Sequence, residues 1–167
     1  LAVGEAELSM KQRLGDSEEH LLAAQGNLAV TYEEMGRHEE ALDLQRDVSS
    51  GRLRLNGEEH EKTLLAATNY TVSLLKVKRL EEARSLMRKT IPVARRVLGE
   101  GHRLTLMMSM NYATALIRDP DATLDDLREA VTTLEDAERT ARRVLGGAHP
   151  TTKDIEANLQ HARAALR

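Results

Sequence analysis

Three features of this 167-residue sequence predict an all-α fold built from repeated antiparallel helix pairs. Ala, Leu, Glu and Arg dominate, charged residues make up 31% of the chain and Gly and Pro are few, a mixture that favours helix over strand. Apolar residues recur in three- and four-residue steps, the spacing of one helix face. The phrase "VARRVLGEGHRLT" at 93–105 returns almost unchanged as "TARRVLGGAHPTT" at 140–152, as stacking one unit on another requires.

The period is read from three independent columns. Gly15, Gly57, Gly99 and Gly146 are spaced by 42, 42 and 47 residues, and Asn27, Asn69, Asn111 and Asn158 repeat the same spacings. Ala41, Ala83 and Ala130 follow with 42 and 47. The extra five residues therefore lie between Asn111 and Ala130, and "RDPDAT" is the turn-forming stretch there.

Each period holds two helices, A and B. The first A helix carries Leu21, Leu22, Leu28, Val30, Tyr32 and Met35 on its apolar positions; its B partner carries Ala41, Leu44, Val48 and Leu55. The four column glycines each follow a Leu/Val/Arg-rich helix end, where a residue with a left-handed backbone closes the last turn. Arg54, Arg96 and Arg143 stand just before three of them, where a cation suits the negative end of the helix dipole. Pro150 suits the first position of a helix, Thr63, Thr105 and Thr152 share a column there, and Thr123 with Asp126 forms a capping-box variant. The map is a helix at 4–14, pairs at 18–35 and 38–55, 60–77 and 80–98, and 102–118 and 123–145, then a helix at 149–166. We expect a single domain over 1–167: a trailing B helix, repeats at about 16–57, 58–99 and 100–146, and a leading A helix at 148–167.

Composition narrows function. A net charge of −3 from balanced Lys/Arg and Asp/Glu, with Tyr32, Tyr70 and Tyr112 as the whole aromatic content, lacks the basic stripe and stacking rings of a nucleic-acid binder. Without cysteine there is no disulfide and no thiolate site. No run of 18 apolar residues occurs and the start lacks signal-peptide blocks, so the expectation is a soluble cytoplasmic protein with no membrane partner. The chain begins at Leu1 rather than Met, and we expect it to be cut from something longer.

Chemistry finds no purchase in the pattern. His60, His102 and His149 recur once per repeat, so they stand at least a helix spacing apart, about 8–10 Å, whereas zinc needs ligands at about 2 Å from a shared centre. Helix capping or packing between repeats is their expected role. Paired carboxylates such as Glu18-Glu19, Glu33-Glu34, Glu39-Glu40 and Glu81-Glu82 fall at helix starts and exposed faces. No phosphate loop, nucleophile elbow or Ser-His-Asp arrangement is visible, so we expect no enzyme, no cofactor and no metal.

The pattern "NLAVTYEEMGRHEEALDL", followed by an Arg-rich end, "LG" and "HP", resembles the 42-residue tetratricopeptide repeat of the kinesin light chain type over the whole chain. It departs in having a turn glycine only at Gly36, with Lys78 and the insertion in the later turns, and Glu18 where other units carry His. The resemblance implies an α-solenoid of antiparallel helix pairs wound into a right-handed superhelix, with A helices lining a concave groove for peptides.

It implies further that the recurrent Asn faces that groove and holds a peptide backbone, since an amide side chain both donates and accepts. From the residues alone, an inter-helix structural role fits Asn27, Asn69, Asn111 and Asn158 equally. Three and seven positions after each Asn, on the same face, come Val30, Val72, Thr114 and His161, then Glu34, Lys76, Arg118 and Ala165. Met107 and Met110 precede Asn111 on that face, either as adaptable groove residues or as core. Kinesin light chain grooves favour acidic peptides around a Trp; Lys76 and Arg118 are the clearly basic positions here.

Two function classes follow. One is an adaptor-like scaffold that binds a partner's peptide in the groove. The other is a structural or self-associating segment of a longer array in a signalling protein, with apolar end faces exposing Ile155, Leu159 and Leu166.

Overall fold

The computed structural model describes residues 2–13, 15 and 17–167. Among them the regular elements are all helices: α1 (Ala2–Arg13), α2 (Glu18–Glu34), α3 (His38–Asn56), α4 (Glu61–Lys76), α5 (Leu80–Leu98), α6 (Arg103–Arg118), α7 (Leu124–Leu145) and α8 (Pro150–Ala165). The observed ends differ from the expected ones by at most two residues, apart from the expected end of the first helix at Leu14, which lies outside the described residues. The all-α expectation holds. The chain divides into two compact units, one ending at Val77 and one beginning at Lys78.

In the first unit α1 packs on α2, α2 on α3 and α3 on α4, the neighbour-to-neighbour order of a helical repeat. Leu28, Tyr32 and Ala41 form a buried cluster, with Leu8 of α1 and Leu44 of α3 packed against it. Tyr32 ties α1 down, its hydroxyl donating to Glu5 Oε1 at 2.7 Å while the Arg37 guanidinium sits 4.3 Å from its ring centroid. Gly51 lets α3 close on α2: a Cβ there would stand 2.5 Å from a Leu22 methyl. The second unit runs α5, α6, α7, α8 in the same order, and α6 also meets α8.

Without Phe or Trp, the core is closed by small residues at helix crossings. Ala41, Ala83 and Ala130, the recurring B-helix column, are each fully buried, as are Ala94, Ala113 and Ala141. A methyl side chain permits close helix approach, so the same residue recurs where the same crossing recurs. Buried hydroxyls return to their own helix: Thr68 donates to the Leu64 carbonyl and Thr71 to the Ala67 carbonyl, both at 2.8 Å.

The joints between repeats follow one chemistry. Gly57, Gly99 and Gly146 have φ of 81°, 91° and 88°, as a stop with reversed backbone sign requires. Their ψ values of 170°, 159° and 157° correct the expectation of a compact left-handed turn. This extended positive-φ region is reached essentially by Gly alone, and it sends the chain straight into the extended residue that caps the next helix. His60, His102 and His149 are those caps, each Nδ1 accepting from the backbone N–H two residues on, at 3.1, 3.3 and 3.2 Å. In the first repeat Ser17 caps instead, accepting from His20 N–H at 3.3 Å.

The five-residue insertion is divided. The α6–α7 connection, residues 119–123, is two longer than those at 35–37 and 77–79; the other three residues lengthen α7 to 22 residues against 19 in α3 and α5. The expected Thr123/Asp126 capping box is formed in both directions, which explains why α7 starts early.

Several apolar positions depart from expectation. Val30, Met35 and Leu55 belong to the apolar spacing yet are exposed, because their helices bury only the narrower stripe that includes Leu28, Tyr32 and Val48. Ile155 and Leu159 are buried at 0% and 4%, because α8 turns them inward, and Leu166 is half-buried. This corrects the expected exposure of Ile155 and Leu159 on the α8 end face.

Candidate functional site

The A helices are α2 and α4 in the first unit and α6 and α8 in the second. In the first unit, Asn27, Val30 and Glu34 lie exposed on α2, and on α4 Asn69 and Val72 are half-buried and Lys76 is exposed. The Asn27 and Asn69 amides make no side-chain hydrogen bond among the described residues. Ser73 of α4 donates to Glu33 of α2, which holds the two helices in register.

The second unit brings candidates together. Thr114 and Arg118 of α6 and Asn158 and His161 of α8 line one groove of about 260 Å³, with Ile117 between them. Arg118 and His161 are exposed at its mouth and Thr114 and Asn158 are half-buried. Asn111 lies about one turn before Thr114 on α6, half-buried, with its Nδ2 buried and unpartnered. Asn158 behaves differently: its Nδ2 donates to the Asp154 carbonyl of its own helix at 2.8 Å, which leaves its amide oxygen for other contacts. Met107 and Met110 are half-buried, whereas Met108 between them is the core residue. Ala165 is exposed near the end of α8.

Sequence reading missed Ile117. It stands three residues after Thr114, on the adjacent turn of the same face, and its apolar type disguised it as core. Also missed was the polar clamp behind α6. Tyr112 donates to Glu129 Oε1 of α7 at 2.5 Å and accepts from Arg88 Nε of α5 at 2.8 Å. Burial, then donation to Glu129, pushes the Tyr112 hydroxyl above the ordinary tyrosine range. Arg88 is held still more basic than usual, first by its hydrogen bond to Tyr112. The clamp joins α6 to both α5 and α7.

The family model described as "Tetratricopeptide repeat" matches residues 21–61 and 63–104, two adjoining units that coincide with the first two helix pairs. The chain belongs to the tetratricopeptide repeat family. Among solved structures, this array is similar to the nearly identical TPR-like repeats of a Podosopora anserina protein described as a kinesin light chain. That match has a TM-score of 0.81 and 22% identity and covers 98% of this chain and 76% of that one. A point-substituted form of the same Podosopora anserina repeats aligns at a TM-score of 0.83, again with 22% identity and the same coverage. BtubC (BKLC) from P. vanneervenii aligns at 0.74 with 16% identity, over 99% of this chain and 68% of that one. These likenesses place the tetratricopeptide fold in its kinesin light chain-like form. No curated protein matches the chain significantly. Tetratricopeptide repeats form a non-catalytic scaffold family, and no described helix is long and apolar enough to cross a membrane.

Proposed function

We propose that this tetratricopeptide array is an adaptor-like scaffold that holds an extended peptide segment of a protein partner along its A helices, in a cytoplasmic setting. The observation that carries the reading is the α6–α8 groove, where Thr114, Arg118, Asn158 and His161 converge around Ile117. Ile117 supplies an apolar floor for a partner side chain, the Thr114 and Asn158 oxygens, whose own protons are spent on the Met110 and Asp154 carbonyls, supply acceptors for peptide N–H groups, and the unpartnered donor of Asn111 gains a partner in a peptide carbonyl. In the first unit the free amides of Asn27 and Asn69, with Val30, Val72 and Lys76 beside them, extend the same recognition: backbone held by amides, side chains read by the variable positions.

The test is a peptide-display selection on the whole chain, followed by fluorescence-polarisation titration of the selected peptide against Asn111→Leu and Asn69→Leu. Loss of one hydrogen bond to a peptide predicts about tenfold weaker binding in each folded variant. Unchanged affinity in both would overturn the reading.

A further inference from the structure

A second site lies on the other side of α6. Thr105 and Ser109, on two successive turns of α6, floor a cleft of about 320 Å³ walled by Arg95 of α5 and by Arg139, Thr140 and Arg143 of α7. Ser109 and Thr114 are five residues apart, so at about 100° per residue the cleft and the α6–α8 groove face about 140° away from one another.

Three observations single out this cleft. Arg95 and Arg143 have no ion-pair or hydrogen-bond partner among the described residues, and Arg139 is held only by Asp136 on its own helix, at 3.4 Å. The Thr105 hydroxyl is buried and unpartnered, whereas the same column bonds elsewhere: Thr63 donates to the Arg52 carbonyl at 3.1 Å and Thr152 to the Gly146 carbonyl at 2.9 Å. The equivalent cleft of the first unit is lined by Glu18, Leu21, Gln25 and Arg54, where Arg54 is paired with Glu18 and Leu21 replaces the hydroxyl. The repeat architecture supplies both clefts, and among the described residues the one in the second unit combines unpaired guanidinium groups with an unpartnered hydroxyl, that of Thr105.

We propose that this cleft binds a phosphoryl group, either as free phosphate or on a phosphorylated side chain of a partner. Guanidinium groups come from α5 and α7 and the Thr105 hydroxyl from α6, the neighbouring Ser109 hydroxyl donating instead to the Thr105 carbonyl at 3.1 Å. That arrangement suits a tetrahedral oxyanion, which has acceptors in several directions, better than a planar carboxylate. Asp136 and Glu100 also line the cleft and keep it from being uniformly cationic, so the site favours an ion that two arginines grip over diffuse attraction of any anion.

The experiment is amide NMR of the whole chain titrated with inorganic phosphate, N-acetyl-phosphoserine amide and N-acetyl-aspartate amide. Saturable shifts at Thr105, Ser109 and Thr140 are expected for the two phosphoryl probes, and a tighter fit for one of them identifies the source. Removing one charge-assisted contact with Arg95→Gln or Arg143→Gln is expected to weaken binding about tenfold with unchanged melting temperature. Absence of saturable shifts overturns the proposal, as does aspartate amide binding as tightly as phosphoserine amide. Equal shifts around Leu21 and Gln25 in the first-unit cleft also overturn it, because they would mark unspecific attraction. None of these outcomes depends on the peptide groove.

Discussion

Tyr112 donates its hydroxyl to Glu129 at 2.5 Å while accepting from Arg88 at 2.8 Å, so one phenol joins three consecutive helices. Tyr112→Phe removes the joint but keeps the ring. A net hydrogen-bond contribution of about 1 kcal/mol is expected to disappear, measured by urea denaturation near neutral pH. The hydroxyl is pushed above its ordinary value by burial and then by Glu129, so its contribution is complete below the unfolded tyrosine value. It is lost as pH rises through the folded one. Wild type should therefore lose more stability than Tyr112→Phe between about pH 9 and 12, and parallel alkaline loss in both would reject the clamp.

The capping box of α7 makes the opposite pH prediction. The Thr123 hydroxyl, then the Thr123 backbone N–H, hold Asp126 below the usual carboxylate range, with Arg84 adding to the effect. Its contribution is present above the unfolded carboxylate value and fades as pH falls through the folded one. Thr123→Ala should cost about 1 kcal/mol near neutrality, and circular-dichroism melts should converge with wild type in acid.

Glycine substitutions should differ in sign by backbone, not by location. Gly57→Ala or Gly99→Ala forces a side chain into positive φ with extended ψ, at a cost of about 1–3 kcal/mol. Gly26 lies inside α2 with open space at its Cβ position, so Gly26→Ala should stabilise by about 0.5–1 kcal/mol. Calorimetric melting of the three variants checks the contrast.

The histidine joints are tested by exchange of acceptor. His149→Asn keeps a short-range acceptor for the Thr151 N–H and should leave the melting temperature close to wild type. His149→Ala abandons that N–H and should cost about 1 kcal/mol. Equal loss in both would assign the imidazole a packing role instead.

Most of the fold was legible because repetition multiplies weak signals. A single Gly after a leucine is poor evidence for a helix end, but Gly15, Gly57, Gly99 and Gly146, spaced in step with the Asn column, mark a joint, and the Ala41, Ala83 and Ala130 column marks a crossing. The groove columns were legible as columns too, since a helix face is a matter of counting along the chain.

Residues a few places apart along the chain fix the helices, their stops and caps, and the period that places Asn27, Asn69, Asn111 and Asn158 in equivalent positions. Which of these positions are equivalent in use follows from the packing of one helix on the next. Asn111 has a buried, unmet donor while Asn158 spends its own on Asp154; Ile155 and Leu159 turn inward while Ile117 opens to a groove. Arg54 is paired with Glu18, whereas Arg143 has no such partner among the described residues. The physical reason is one: periodicity fixes a side chain's direction around its own helix, but its burial, partners and charge environment come from the neighbouring helix, which the local pattern does not encode.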